Sequence, residues 1–247
     1  MKILIAKKRK PKIITFLFIL CVIGFSYSLV NIVLWKADSR KTSDQIKFLI
    51  KPGSDEEGIN FEELKRINSD VRGWVKVEGT NINYPFVQSK DNNFYLNHSF
   101  DKSFNRAGWV FLDYRTAVDS LGRNTIIYGH DRKDKTMFGS LNSITKSNWV
   151  GDKNNHFIKI TTEKGDTSWQ VFSFYRIKTT DDYLQTSFQT DRDYQKFLDL
   201  VGDRSIFDFE TRPDKDDKIL TLSTCYNKNE KTVLHAKQIN EKYKQKF

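Results

Sequence analysis

Residues 13–35, IITFLFILCVIGFSYSLVNIVLW, carry no charged side chain. At ~1.5 Å per residue the run makes about 34 Å of helix, enough to cross a hydrocarbon core of about 30 Å. No polar face interrupts it, which disfavours a buried core helix. A cleaved signal peptide is the rival, but its apolar stretch is normally about 7–15 residues with a small-x-small site after it. This run is longer and no clear site of that kind follows. The expectation is an uncleaved transmembrane anchor with Trp35 at the interface.

Charge gives the run a direction. Lys2, Lys7, Lys8, Arg9, Lys10 and Lys12 precede it with no acid among them, and mixed charge follows at Lys36, Asp38 and Arg40. The positive-inside rule puts the N-terminus in the cytoplasm and the rest outside the cell. Those six cations supply more than half of the formal net charge of +10. The basicity is therefore a property of the tail, which argues against a nucleic-acid-binding face on the folded part. The expected layout is a cytoplasmic tail over 1–12, an anchor over 13–35, a stalk and N-terminal helical layer over 36–66, and one folded domain over 67–247.

Within the stalk, Ser43–Ile50 reads as a short helix, and Pro52, Gly53, Ser54 and Gly58 oppose any long one. Asn60 followed by Glu63 reads as a helix cap. From Gly73 onward the pattern turns to strands: 74–78, 82–87, 108–113, 124–129, 156–162, 168–177, 217–224 and 231–239. Several alternate with period two between Gly, Asn and Asp punctuation. One helix interrupts, capped by Asp191, with Tyr194, Phe197, Leu198 and Val201 on one face. Many short strands with few helices point to a mainly β, closed or nearly closed barrel. The last residues, EKYKQKF, read as a solvated tail.

Two strands end in reactive side chains. NTIIYGHD (124–131) places His130 just past an apolar strand, and TLSTC (221–225) places Cys225 at a strand end, with Leu222 facing inward. With Cys21 inside the apolar run, Cys225 is the outer part's lone thiol. Such a thiol is an oxidation liability unless it is buried or reactive. A cysteine beside an imidazole is the minimum for thiol nucleophilic catalysis. The ring stabilises a thiolate and later protonates a leaving amine. Spacing alone does not bring the two together. His98, His156 and His235 read as structural, the 131–135 run as a solvated loop, and Asp131 as a possible orienter of His130. No converging carboxylates suggest a calcium site.

The chain resembles class B sortases, membrane-anchored cysteine transpeptidases of Gram-positive bacteria. The stretches that carry the likeness run from Ile67 to Ile239: INSDVRGWVKVEGTNINYPFVQ, DNNFYLNHSF, AGWVFLDYR, NTIIYGHDRKDKTMFGSL and TLSTC. The resemblance implies a sortase-type barrel with N-terminal helices and a helix inserted between late strands. It implies Cys225 as nucleophile and His130 as acid/base, with no cofactor or metal. The family's third residue, an Arg opening the strand after TLSTC, falls on Lys231. Lys supplies a point charge without the planar fork of Arg, so Arg176 and Arg212 stay open as alternative sources of that charge. The matching substrate positions are Asn92, Leu96, Tyr128, Tyr183, Leu184 and Ser223, and for Tyr128 a core role competes.

The implied reaction is cleavage of a C-terminal sorting signal of N-P-x-T-x or P-x-T-G type and transfer of the acyl group to a cell-wall peptide amine. Three rivals are a pilin-polymerising sortase, a secreted cysteine peptidase that releases its product to water, and a non-catalytic surface module that keeps the barrel.

Overall fold

The computed structural model describes residues 12–50, 59–117, 121–146, 148–225 and 229–239, with the backbone alone for Lys12, Lys146 and Cys225. The basic tail before Lys12, the Pro52–Gly58 break and the EKYKQKF tail lie outside the described residues. The chain forms two compact units, Met1–Lys41 and Thr42–Phe247.

The first unit is built on helix α1 (Lys12–Leu49), long and apolar enough to cross a membrane. Its large side chains are exposed on every side, from Ile13 and Phe16 to Val33 and Trp35, as expected of a helix whose natural surroundings are apolar. Two polar groups of its apolar stretch bond back one turn, Ser28 Oγ to the Gly24 carbonyl at 2.9 Å and Asn31 Nδ2 to the Tyr27 carbonyl at 2.8 Å. The separate helix expected at Ser43–Ile50 is instead the end of α1. Nothing from Phe25 to Leu49 is Gly or Pro, so no residue there stops the helix.

In the second unit Thr42 is buried and accepts from Asn105 Nδ2 at 3.1 Å. Helix α2 (Phe61–Ile67) begins as expected, with Asn60 Oδ1 accepting from the Glu63 amide at 3.0 Å. Eight strands then close a barrel: β1 (Val71–Val77), β2 (Asn83–Val87), β3 (Phe111–Leu112), β4 (Asn124–Tyr128), β5 (Phe157–Thr162), β6 (Gly165–Lys178), β7 (Ile219–Cys225) and β8 (Glu230–Ile239). Their order around it is β1-β2-β3-β4-β7-β8-β6-β5. Each expected strand is present, although 108–113 shrinks to two residues. Helix α3 (Asp191–Asp203) lies between β6 and β7. Its cap is Thr190, not Asp191. Thr190 is extended and its hydroxyl accepts from the Asp193 amide at 3.1 Å, while Asp191 already lies inside the first turn. There its charge favours the helix N-terminus.

Period-two alternation divides the core. Leu220, Leu222, Leu234 and Ala236 join a cluster with Trp109, Trp169 and Phe174. Ile219 and Val233 join a second cluster with Tyr175, Tyr183, Tyr194, Phe197 and Val201. The strands β6 to β8 are thus packed on both faces, with α3 covering the second.

Two pairings in the barrel are parallel, β2 with β3 and β4 with β7. The second positions the site. Parallel neighbours end at the same rim, and Tyr128 pairs with Ser223. The ladder continues one residue further, with the Gly129 amide donating to the Ser223 carbonyl at 3.2 Å. Antiparallel β8 starts from that rim, where Lys231 pairs with Cys225. The end of β4 therefore converges with the β7–β8 connection more than ninety residues away.

Candidate active site

A groove of about 410 Å³ opens at this rim, within the usual range of about 300–1,000 Å³ for ligand sites. Asn92, Asn93 and Leu96 line it from the segment around the 3-10 turn Phe94–Leu96. Phe111, Tyr128 and Ser223 line it from β3, β4 and β7. Thr179, Thr180, Asp181, Tyr183 and Leu184 line it from the segment after β6. His130, Thr224 and Lys231 complete it. His130, Lys231 and all six side chains matched to substrate positions thus border one space. Position 225 is the last of β7, two residues beyond Ser223.

The His130 ring is oriented by backbone. Its Nε2 lies 2.6 Å from the Leu96 carbonyl oxygen. A carbonyl only accepts, so Nε2 carries the proton and Nδ1 is the basic nitrogen of the neutral ring. Burial holds the ring below its ordinary pKa. The Leu96 carbonyl opposes that shift, and the charges of Arg132 and Lys231 reinforce it. Gly108 makes the contact possible. Its φ is +60°, and a Cβ there would sit 2.6 Å from His130 Cδ2 and 2.8 Å from the Leu96 oxygen. Asp131 pairs instead with Met137 as an isolated bridge. Burial raises its pKa, against the pull of Asn142 and Arg176.

Of the three cations considered for the charge near the nucleophile, Lys231 borders the groove. The Arg176 guanidinium donates to the Asn142 carbonyl at 3.2 Å and Thr145 Oγ1 at 3.3 Å. Arg212 pairs with Asp203 at 2.9 Å, both side chains 69% exposed.

The remaining groove residues are held by hydrogen bonds. Ser223 Oγ and Tyr183 Oη lie 3.0 Å apart. Tyr128 packs its ring on Phe111, with centroids 5.1 Å apart, and donates to Asp113 at 2.9 Å, so it is both a packing residue and a groove residue. Asn92 Nδ2 donates to the same carboxylate at 3.0 Å. Arg115 joins Asp113 to the Leu184 carbonyl. Asp113, Arg115 and Gly108 were not singled out from the sequence. The available signal was an acid directly after an apolar strand with an Arg two residues on, in the stretch LDYR.

The other histidines lie elsewhere. His98 stacks on Phe94 with centroids 4.0 Å apart, and its Nδ1 lies 2.7 Å from the Phe94 carbonyl. His156 packs against Trp149 and Phe209, with Nε2 2.9 Å from the Val150 carbonyl. His235 is fully buried in the second cluster's surroundings. Among the described residues no group of three or more His, Cys, Asp or Glu could hold a metal ion.

A neutral imidazole, a lysine and the end of the strand that carries Cys225 thus meet at one open groove. A family model described as Sortase domain matches residues 75–239. Sortase B of Staphylococcus aureus (strain NCTC 8325 / PS 47) is 34% identical over 239 residues, 94% of this chain and 97% of that protein. A solved Staphylococcus aureus sortase B–substrate complex superposes with a TM-score of 0.73 at 34% identity, covering 83% of this chain and 98% of that one. Clostridium perfringens sortase B superposes with a TM-score of 0.68 at 34% identity, covering 73% and 100%.

Proposed function

The chain belongs to the sortase family, class B, whose members are cysteine transpeptidases, and from that premise we propose that it cuts a C-terminal sorting signal and transfers the acyl part to a cell-wall peptide amine. The signal is of N-P-x-T-x or P-x-T-G type. The observation that supports this most is the strand register. Tyr128 beside Ser223 and Lys231 beside Cys225 bring an imidazole, a cation and the cysteine position to one rim.

His130 begins neutral, since burial and two nearby cations disfavour a second proton. Its Nδ1 takes the Cys225 thiol proton as the thiolate attacks the Thr carbonyl. A C–S bond forms and the carbonyl electrons move to oxygen. The Lys231 ammonium stabilises that oxyanion. On collapse the scissile C–N bond breaks and His130 gives its proton to the departing amine. The acceptor amine then attacks the thioester, His130 takes its proton, and as the C–S bond breaks His130 passes that proton to the sulfur, restoring the thiol and the neutral ring. Asn92, Ser223 and Tyr183 hold the peptide, with Leu96 and Leu184 as walls. No step requires a cofactor.

Helix α1 serves as a single-pass anchor with the N-terminus in the cytoplasm and the barrel outside. Tethering on one surface raises the effective concentration of enzyme, translocated substrate and lipid-linked acceptor for one another.

Mass spectrometry of the full chain in detergent, incubated with a library of sorting peptides, tests the reading. The expected result is a thioester adduct on Cys225 that an added amine resolves. It is lost in Cys225→Ala and in His130→Ala. Lys231→Ala should lower turnover by about 10²–10³-fold, and Lys231→Arg should keep or raise it. No adduct with any peptide would overturn the assignment. Adduct without transfer to an added amine would favour a peptidase.

A further inference from the structure

Three of the groove residues share one ion pair, of a buried carboxylate with an arginine that reaches the surface. The Asp113 carboxylate, just past β3, is wholly buried. Its Oδ2 accepts from Asn92 Nδ2 at 3.0 Å, from Tyr128 Oη at 2.9 Å and from an Arg115 terminal nitrogen at 2.8 Å. Its Oδ1 accepts from Arg115 Nε and from the Arg115 amide, both at 2.9 Å. A buried carboxylate persists when a bidentate partner and further donors satisfy it. The same Arg115 nitrogen donates to the Leu184 carbonyl at 3.0 Å. A continuous bonded path thus runs from Leu184 through Arg115 and Asp113 to Asn92, joining segments that border the groove from different parts of the chain.

The pair also fixes which way the Asn92 amide faces. Asn92 Oδ1 accepts from the Tyr114 amide at 3.1 Å while Nδ2 faces the carboxylate. A flipped amide would set oxygen against carboxylate and nitrogen against an N–H. One Nδ2 hydrogen is committed to Asp113, and the second is the donor the amide can offer a peptide carbonyl.

We propose that Asp113 and Arg115 are positioning residues that fix the span of the peptide groove between Asn92 and Leu184 and orient Asn92 as a donor, and so set affinity for the sorting peptide. Neither touches the reacting atoms. The inference rests on the sortase reading above, and it concerns how this chain's groove is held in shape.

Steady-state kinetics of the full chain in detergent, with a sorting peptide that the unsubstituted chain cleaves, tests it. Arg115→Gln should raise KM by about tenfold or more, the effect of losing a charged hydrogen bond, with kcat within about threefold. Arg115→Lys keeps charge without the fork and should fall between the two. The rate of Cys225 alkylation by iodoacetamide, a probe too small to span the groove, should stay within about twofold in both. Adding Asn92→Ala to Arg115→Gln should raise KM by less than the product of the single effects. An unchanged KM in Arg115→Gln, a matching fall in alkylation, or fully multiplicative effects would each overturn the proposal. A chain that cleaves no sorting peptide at all would instead refute the sortase reading. If Arg115→Gln does not fold, Arg115→Lys alone decides by its KM.

Discussion

His130 lies just past the end of β4 and His235 in the middle of β8, and burial depresses the pKa of both. Their hydrogen bonds separate them. His130 gives Nε2 to a fixed carbonyl and keeps Nδ1 as its basic nitrogen in a ring that borders the groove. His235 has a partner at each nitrogen, Tyr175 Oη and Thr221 Oγ1, each at 2.9 Å. Thr221 donates its proton to Asn124 Oδ1 at 2.7 Å, so it accepts from Nδ1–H of His235. Nε2 then accepts from Tyr175, and Asn124 Nδ2 passes the chain on to the Gln185 carbonyl at 2.8 Å. All the donors point one way. A ring so committed cannot take a proton without breaking the chain. A lowered pKa alone therefore does not separate the two rings; the proposed base is the one that borders the open groove.

The widest gap between the two rings is in turnover. His130→Ala should lower kcat by about 10²–10⁴-fold, the range for losing a general acid–base. His235→Phe should leave peptide cleavage within about threefold in the protein that folds. Steady-state cleavage with circular dichroism on the same samples measures both. Equal losses in equally folded variants would erase the distinction.

A second substitution sharpens the His130 side. Gly108→Ala puts a methyl where the imidazole and the Leu96 oxygen now meet, on backbone at φ +60° that disfavours any Cβ. The ring must swing off its carbonyl, and misplacement by about 1 Å costs about 10²-fold in rate. Peptide cleavage by Gly108→Ala should fall by that order. A pH–rate profile should also move, since the ring loses the orienting carbonyl. Unchanged rate and profile would show that the Leu96 contact does not set the tautomer.

On the His235 side the contrast is thermodynamic. Burial lowers its pKa from an ordinary 6.5 to about 3. Between those values the unfolded ring binds a proton and the folded ring does not. Stability is therefore intact above pH 6.5 and drains as pH falls towards 3. The slope from this one group is about 1.4 kcal/mol per pH unit, or about 2 kcal/mol between pH 6.5 and 5. His235→Phe should remove that share of the acid sensitivity, while leaving Tyr175 and Thr221 without their nitrogen partners at a cost of about 1–3 kcal/mol. Urea titrations of the detergent-solubilised chain at the two pH values read both effects. An undiminished slope would show that His235 is protonated when folded.

What could be foreseen follows from range of interaction. Alternation and turn residues announced all eight strands, and the Asn60–Glu63 spacing announced a cap, because those signals lie within a few residues. The joining of His130 and Cys225 at one rim depends on β4 pairing in parallel with β7, across more than ninety residues, and no local pattern encodes it; the family likeness supplied it. The orienter of His130 escaped because it is the Leu96 backbone carbonyl, an atom every residue has. Gly108 fell at the start of the expected 108–113 strand, and its contact with the His130 ring has no local signal. Asp113 and Arg115 were assigned no role, because their partners come from 92, 128 and 184. The length of α1 was underestimated from polarity, although polar residues such as those of 36–49 extend helices well.

The smallest expected effect decides which cation belongs with the histidine pair. Arg212 and Arg176 each carry the guanidinium that the family pattern expects, yet neither borders the groove. Arg212 reaches Asp203 on the surface, where exposed pairs contribute little. Arg212→Ala should leave cleavage within about twofold, because a charge so exposed is screened over about 10 Å at ordinary salt. Arg176 spends its guanidinium on Asn142 and Thr145, so its loss should appear in thermal unfolding before turnover. Lys231 pairs with Cys225 across β7 and β8, where the proposed mechanism places the developing oxyanion. Measuring cleavage by Arg212→Ala beside Lys231→Ala therefore separates distance from chemistry. If Arg212→Ala were the slower of the two, the oxyanion donor would lie outside the rim that carries His130.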